Sequence, residues 1–141
     1  PVRGDGTIDA EERKIVEQIA SWTQRFGEAI YASRPWKISG EGPTQIASGQ
    51  FGEGKMKPFE AADIRFTTKG PVLYAITLGR PSGLVNIAAL ANVGSVKRVE
   101  VVGSNAPLAF TQDASGLHVT VPSGASHEFG VALKVLGDGL T

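Results

Sequence analysis

Ala62-Asp63-Ile64-Arg65-Phe66-Thr67-Thr68-Lys69-Gly70-Pro71-Val72-Leu73-Tyr74-Ala75-Ile76-Thr77-Leu78 reads as two short strands joined by a tight turn. Ile64, Phe66 and Thr68 alternate with Arg65 and Thr67, the period-2 pattern of a strand with one buried face. Lys69-Gly70-Pro71 then turns the chain. Beyond it Tyr74, Ile76 and Leu78 alternate with Ala75 and Thr77. So short a connection makes an antiparallel pair, since a parallel one needs a long crossover. Phe66 and Tyr74 are both predicted to point inward.

Working downstream, further strands are expected over residues 84–90, 96–102, 107–111, 117–121 and 129–136. Leu117, Val119 and Val121 form one period-2 face, and Val131, Leu133 and Val135 another. Val96 and Val99 break the alternation, which predicts a β-bulge near Lys97 and Arg98. Strands that recur every ~8–12 residues between Gly, Pro, Asn and Ser point to a sandwich. No helical pattern follows Phe26, apart from a turn expected at residues 58–62. The expected fold is mainly β: an antiparallel sandwich of about eight strands, preceded by one amphipathic α-helix.

Upstream, Asp9 and Glu12 have the spacing of a capping box, and Glu11 and Glu12 suit the positive end of a helix dipole. From there Ile15, Ile19, Trp22 and Phe26 fall within roughly 60° of helix azimuth at about 100° per residue. Arg13, Lys14, Glu17, Ser21 and Gln24 fill the remainder, and Gly27 is the expected stop. One apolar stripe on one helix needs a cover. It must pack on the downstream strands, pair with another chain, or stay partly exposed. Gly40-Glu41-Gly42-Pro43 reads as a linker. The expected organisation is therefore residues 1–39 as loop, helix and linker, then 40–141 as the sandwich.

The 141 residues suffice for one domain, or one domain with an appendage. Apolar residues make up 41%, enough for a packed core. Lys and Arg number 14 against 14 Asp and Glu, leaving no net charge with which to attract nucleic acid or an anionic membrane. No apolar run approaches the roughly 18 residues of a membrane span. The absence of cysteine excludes disulfides and thiolate metal sites. It is compatible with a cytosolic location and with a periplasmic or secreted one, the latter being the expectation. A start at Pro1, without Met or leader pattern, suggests a cloning boundary, proteolysis or a split gene.

Several blocks, in order and spacing, resemble the C-terminal region of bacterial α-L-fucosidases, glycoside hydrolase family 29. They are Pro1-Val2-Arg3-Gly4-Asp5-Gly6-Thr7-Ile8-Asp9, Gly27-Glu28-Ala29-Ile30-Tyr31-Ala32-Ser33-Arg34-Pro35-Trp36, Gly40–Pro43 and Phe59–Leu78. The resemblance implies that the helix is the last one of a catalytic α/β barrel and that the strands form a C-terminal accessory domain. It implies a parent that is a retaining exo-glycosidase acting on terminal α-L-fucose, with two catalytic carboxyls. In the family these lie upstream of this region, so no residue here inherits either role. The implied partners are the missing barrel of the same polypeptide and, through it, fucosylated glycans. Residues 1–6 would follow the last barrel strand, near the pocket. Self-association through the Ile15, Ile19, Trp22 and Phe26 face is a further expectation. So is an alternative function, a carbohydrate-binding module for fucosylated glycans.

Arg3 and Asp5 could touch substrate, but Gly4-Asp5-Gly6 reads first as a turn. Trp22, Tyr31 and Trp36 could stack on sugar, yet packing is the expected role of each. His118, on an outward strand face, and His127, in a turn, read as lone surface histidines, without the spacing of a zinc site. Glu28, Glu53, Glu60, Asp63, Asp113 and Glu128 form no recognisable catalytic pair. The Gly49–Gly54 run lacks the Lys-Ser/Thr ending of a phosphate loop. No catalytic, cofactor-binding or metal residue is assigned, and no cofactor is expected.

Overall fold

The hairpin lies at the centre of the architecture. The computed structural model of the protein describes residues 2–45, 57–104 and 106–141. Pro1, Phe51, Glu53 and the 49–54 run lie outside the described residues. Strands β1 (Arg34–Glu41), β2 (Ile64–Lys69), β3 (Val72–Thr77), β4 (Leu84–Ile87), β5 (Ser95–Val101), β6 (Phe110–Asp113), β7 (Gly116–Thr120) and β8 (Ala132–Asp138) follow one helix, α1 (Ala10–Phe26). They form a five-stranded sheet in the order β1-β2-β3-β8-β5 and a three-stranded sheet in the order β4-β7-β6. Every pairing is antiparallel.

The expected strands recur with small changes. The 84–90 segment ends as a strand at Ile87 and closes as a single 3₁₀ turn, Ala88–Leu90. The strand expected at 107–111 lies at Phe110–Asp113, because Pro107 makes only an isolated bridge to Glu100. The expected bulge is present, as a register shift between Val96 and Arg98.

β1 is the strand that sequence patterning misses. Gly40 and Glu41, expected in a linker, are its last two residues. Gly40 is there for closeness, since a Cβ would meet the Ile64 carbonyl oxygen at 2.6 Å. Glu41 ties the sheets together, its carboxylate accepting from the Ala88 and Ala89 N–H groups at 2.8 and 2.6 Å. Gln112 on β6 makes a second tie: Oε1 accepts from Val96 N–H at 3.0 Å, and Nε2 donates to Leu90 and Val93 carbonyls at 3.1 Å.

Three layers result. Between the sheets lie Ile64, Phe66, Leu73, Ala75, Leu133 and Val135 from one side, and Val85, Ile87, Leu117 and Val119 from the other. Trp36 joins them, edge-on to Phe66 and donating Nε1–H to Leu140 O at 2.7 Å. The opposite face of the five-stranded sheet carries Thr67, Tyr74 and Lys134 in one cross-strand row, then Arg65, Ile76 and Ala132 in the next. The end of α1 and the following 3₁₀ turn (Gly27–Ala29) lie over it. Phe26 and Ala29 are both wholly buried, and Thr67 donates to Ala29 O at 2.5 Å. Tyr74 therefore points inward, as expected, but toward the helix layer rather than between the sheets.

At its start α1 departs from the expected capping box. Asp9 makes no side-chain cap bond and pairs with Arg3, which the Val2–Ile8 bridge folds back over it. Gly27 does end α1, though in a right-handed conformation (φ −59°), and the chain turns on as 3₁₀. Its lack of side chain admits the Tyr31 ring, whose Cε2 would meet a Cβ at 2.7 Å.

The buried end of α1 makes it integral to this fold. Phe26→Ala is expected to lower unfolding stability by about 3–5 kcal/mol, as truncation of a buried aromatic does. Gln112→Ala, which leaves three backbone groups unpaired, is expected to cost about 1–3 kcal/mol. Urea denaturation of each variant at unchanged m-value measures both.

Candidate functional site

The stripe along α1 divides in two. Phe26 is buried and Trp22 half-buried against it, their ring centroids 5.2 Å apart. Toward the helix start the cover ends: Ile15 is 54% exposed and Ile19 60%. These two overhang a groove of about 590 Å³ between the helix and the sheet. Trp22 and Ile30 complete the helix-side wall, while Ile76, Leu78 and Phe129 form the other with Arg65 and Thr77. A hollow this apolar and open is unusual on a single domain, where exposed apolar side chains are ordinarily scattered.

Polar bonds along one flank of the helix, beginning at Gln18 on the groove's rim, hold it to residues 124–128. Arg25 donates to Ala125 O at 2.7 Å, Ser21 Oγ lies 3.3 Å from His127 Nε2, and Gln18 reaches Glu128 at 3.4 Å. Glu28 anchors the end of the same segment. Its Oε1 accepts from the Tyr74 hydroxyl and the Lys134 ammonium, each at 2.8 Å. The Lys134 and Tyr74 hydrogen bonds hold the Glu28 carboxyl below its usual range against a smaller effect of burial. Burial and the neighbouring carboxylate push the Tyr74 phenol up.

The other candidates are engaged locally. Asp5 accepts from Thr7 N–H at 2.9 Å and from its hydroxyl at 2.7 Å, bonds that lower its pKa and make the expected turn. Asp63 is fully buried; burial raises its pKa, but N–H donation from Glu60 and Thr44, aided by Arg65, outweighs it. Glu60 contributes this backbone donor, so two expected carboxylates meet here without forming an acid/base couple. Trp36 is buried and offers no stacking face, whereas Tyr31 is 63% exposed.

His118 is not the lone residue expected. It lies opposite Asn86 on β4, whose Oδ1 is 2.8 Å from its Nδ1, while Ser115 Oγ and Asp113 Oδ1 stand 2.9 and 3.3 Å from Nε2. The Ser115 hydroxyl and N–H, with His118, bring Asp113 down to about 2. Ser115 donates its hydroxyl to Asp113 Oδ1 at 2.6 Å, so that proton is committed to the carboxylate rather than to the His118 ring, as a nucleophile–base pair would need. His127 is in a turn as expected, bridged to Gly130 and beside Ser21 and Phe129. Among the described residues, no group of three or more His, Cys, Asp or Glu is placed to hold a metal ion.

Sequence reasoning found Ile15, Ile19 and Trp22 but not the facing wall. Ile76 and Leu78 were legible as a strand face, and Phe129 as the start of a strand expected at 129–136, although β8 begins only at Ala132; Ile30 carried no periodic signal.

A family model described as the alpha-L-fucosidase C-terminal domain matches residues 57–135, over half of the chain. The chain belongs to that family. The tissue alpha-L-fucosidase of Rattus norvegicus is 28% identical over 120 residues, 84% of this chain and 22% of the relative. That of Homo sapiens is 27% identical over 139 residues, 94% of this chain and 26% of the relative. A solved structure of Thermotoga maritima alpha-fucosidase with a mechanism-based inhibitor has the same fold, with a TM-score of 0.70 and 24% identity. That match covers 95% of this chain and 28% of the other. This member of the fucosidase C-terminal family thus spans about a quarter of the length of these relatives.

The Glu28 anchor sets a pH dependence. Its folded-state pKa is depressed, so its contribution is present above the ordinary glutamate value of 4.5 and is lost as pH falls through the lowered one. Denaturation midpoints followed on acidification should fall less steeply in Glu28→Gln than in the unaltered chain.

Proposed function

We propose that this chain is the C-terminal accessory part of a retaining exo-glycosidase that hydrolyses terminal α-L-fucose, and that its own role is structural. On this reading the last loop and helix of a catalytic barrel lie ahead of β1, and the accessory sandwich begins with β1 at Arg34 rather than at the expected residue 40, with α1 shared between the two bodies. The groove bounded by Ile15, Ile19, Ile30 and Phe129 carries the proposal. It is a preformed apolar surface that the sandwich leaves uncovered, of the kind an interior helix presents to neighbouring elements. The catalytic barrel is its proposed occupant. Burying each large apolar side chain there would contribute roughly 1.5–3 kcal/mol to the joint.

Chemistry supports the same division of labour. Retaining hydrolysis uses two carboxyls about 5–5.5 Å apart, facing the sugar from opposite sides. Here Glu28, Asp63 and Asp113 are each committed to fixed local donors, and no carboxylate lines the groove. Relatives that bear the name alpha-L-fucosidase support a terminal α-L-fucoside as the substrate class of the parent.

Two experiments test the proposal. The chain alone should not turn over an aryl α-L-fucoside; turnover at the rate of a whole fucosidase would overturn it. In the full-length polypeptide, Ile15→Glu with Ile19→Glu should lower the melting temperature and the activity together. In the isolated chain these exposed positions should leave stability nearly unchanged. A concentration-dependent dimer of the isolated chain, split by the same pair, would reassign the groove to a second copy.

A further inference from the structure

A second hollow, of about 450 Å³, lies on a different flank of α1, lined by Ala20, Thr23, Gln24, Gly27, Glu28 and Tyr31. Ala20 and Gln24 stand roughly 140° and 180° around the helix from Ile15 at about 100° per residue, and the two hollows share Thr23 at their common edge. Its lining is of another character. Tyr31 is 63% exposed, and its Cδ2–Cε2 edge lies against Gly27 where any side chain would collide. The ring is thereby backed by main chain rather than left to swing.

Polar residues share the lining of the hollow with this ring. Thr23 donates its hydroxyl to Ile19 O, and its methyl carbon lies on the Gly27 side. The Gln24 side chain has no hydrogen-bond partner among the described residues. In Glu28, Oε1 is held by Tyr74 and Lys134, which fixes the carboxylate and leaves Oε2 without one. An aromatic surface, a fixed carboxylate oxygen and an open amide around one shallow hollow suit a ligand with an apolar C–H face and a rim of hydroxyls. We infer that this hollow is a subsite for a neutral pyranose, stacked on Tyr31 and hydrogen-bonded through its hydroxyls to Glu28 and Gln24. It would let this domain hold a sugar unit on the flank of α1.

The test is an amide-shift titration of the chain with methyl α-L-fucopyranoside and, separately, methyl β-D-galactopyranoside. Saturable shifts confined to residues 20–31, with a dissociation constant on the order of 1–10 mM for at least one sugar, are expected. Tyr31→Ala should abolish them and Tyr31→Phe should retain them. Gln24→Ala should weaken binding by roughly three-fold or more. An unchanged spectrum elsewhere shows that each variant is folded, and should Tyr31→Ala unfold, Gln24→Ala decides alone. No saturable shift up to about 100 mM of either sugar, or shifts that survive both truncations, would overturn the inference. Ile15→Glu with Ile19→Glu should leave the titration unchanged, so this result stands or falls apart from the docking of the groove.

Discussion

Burial of the five-stranded sheet on both faces is the constraint on which the rest of the molecule depends. β3 and β8 run through its middle, and β3 is buried at every position from Leu73 to Thr77. A sheet packed only against its three-stranded partner would leave Tyr74, Ile76 and Ala132 in water. The end of α1 prevents this with Phe26 and Ala29, and Glu28 fastens the cover through Tyr74 and Lys134. Helix and sheet are thus one core rather than neighbours across a linker.

The same constraint explains the groove. The cover is fixed at its Phe26 end and along its polar side, where Arg25, Ser21 and Gln18 meet the 124–128 segment. The preceding turns of α1 stand off the sheet across the groove, so Ile15 and Ile19 have the sequence of core residues without a core. Apolar stripe and polar anchors make opposite demands on one helix. Together they make the hollow a permanent feature of the surface.

Much of this was legible in the sequence. Ile64-Arg65-Phe66-Thr67-Thr68 announced its strand because one of its faces is better buried than the other, and Lys97 announced its bulge because Val96 and Val99 fall out of step. The stripe from Ile15 to Phe26 was equally clear. β1 was hidden, since Gly40 serves close approach to β2 and Gly42 avoids the Asp63 carboxylate, yet both carry the signature of a linker. The facing wall of the groove was hidden for another reason. Phe129 is brought to it by tertiary packing, and no local period encodes a meeting with Ile15 and Ile19 so far away in the chain. Nor does spacing reveal that His118 meets Asn86 across two strands.

The edges of the large sheet bear on how the molecule meets other proteins. β5 is kinked at Lys97, and β1 carries Pro35 and slips register before Gly40. A strand from another chain would find an unmatched row of donors and acceptors on either side. Such blunted margins discourage growth by strand addition, the route by which sheet proteins tangle. Contact with other molecules is thereby left to side-chain surfaces, of which the greasy trough beside α1 is the most apolar.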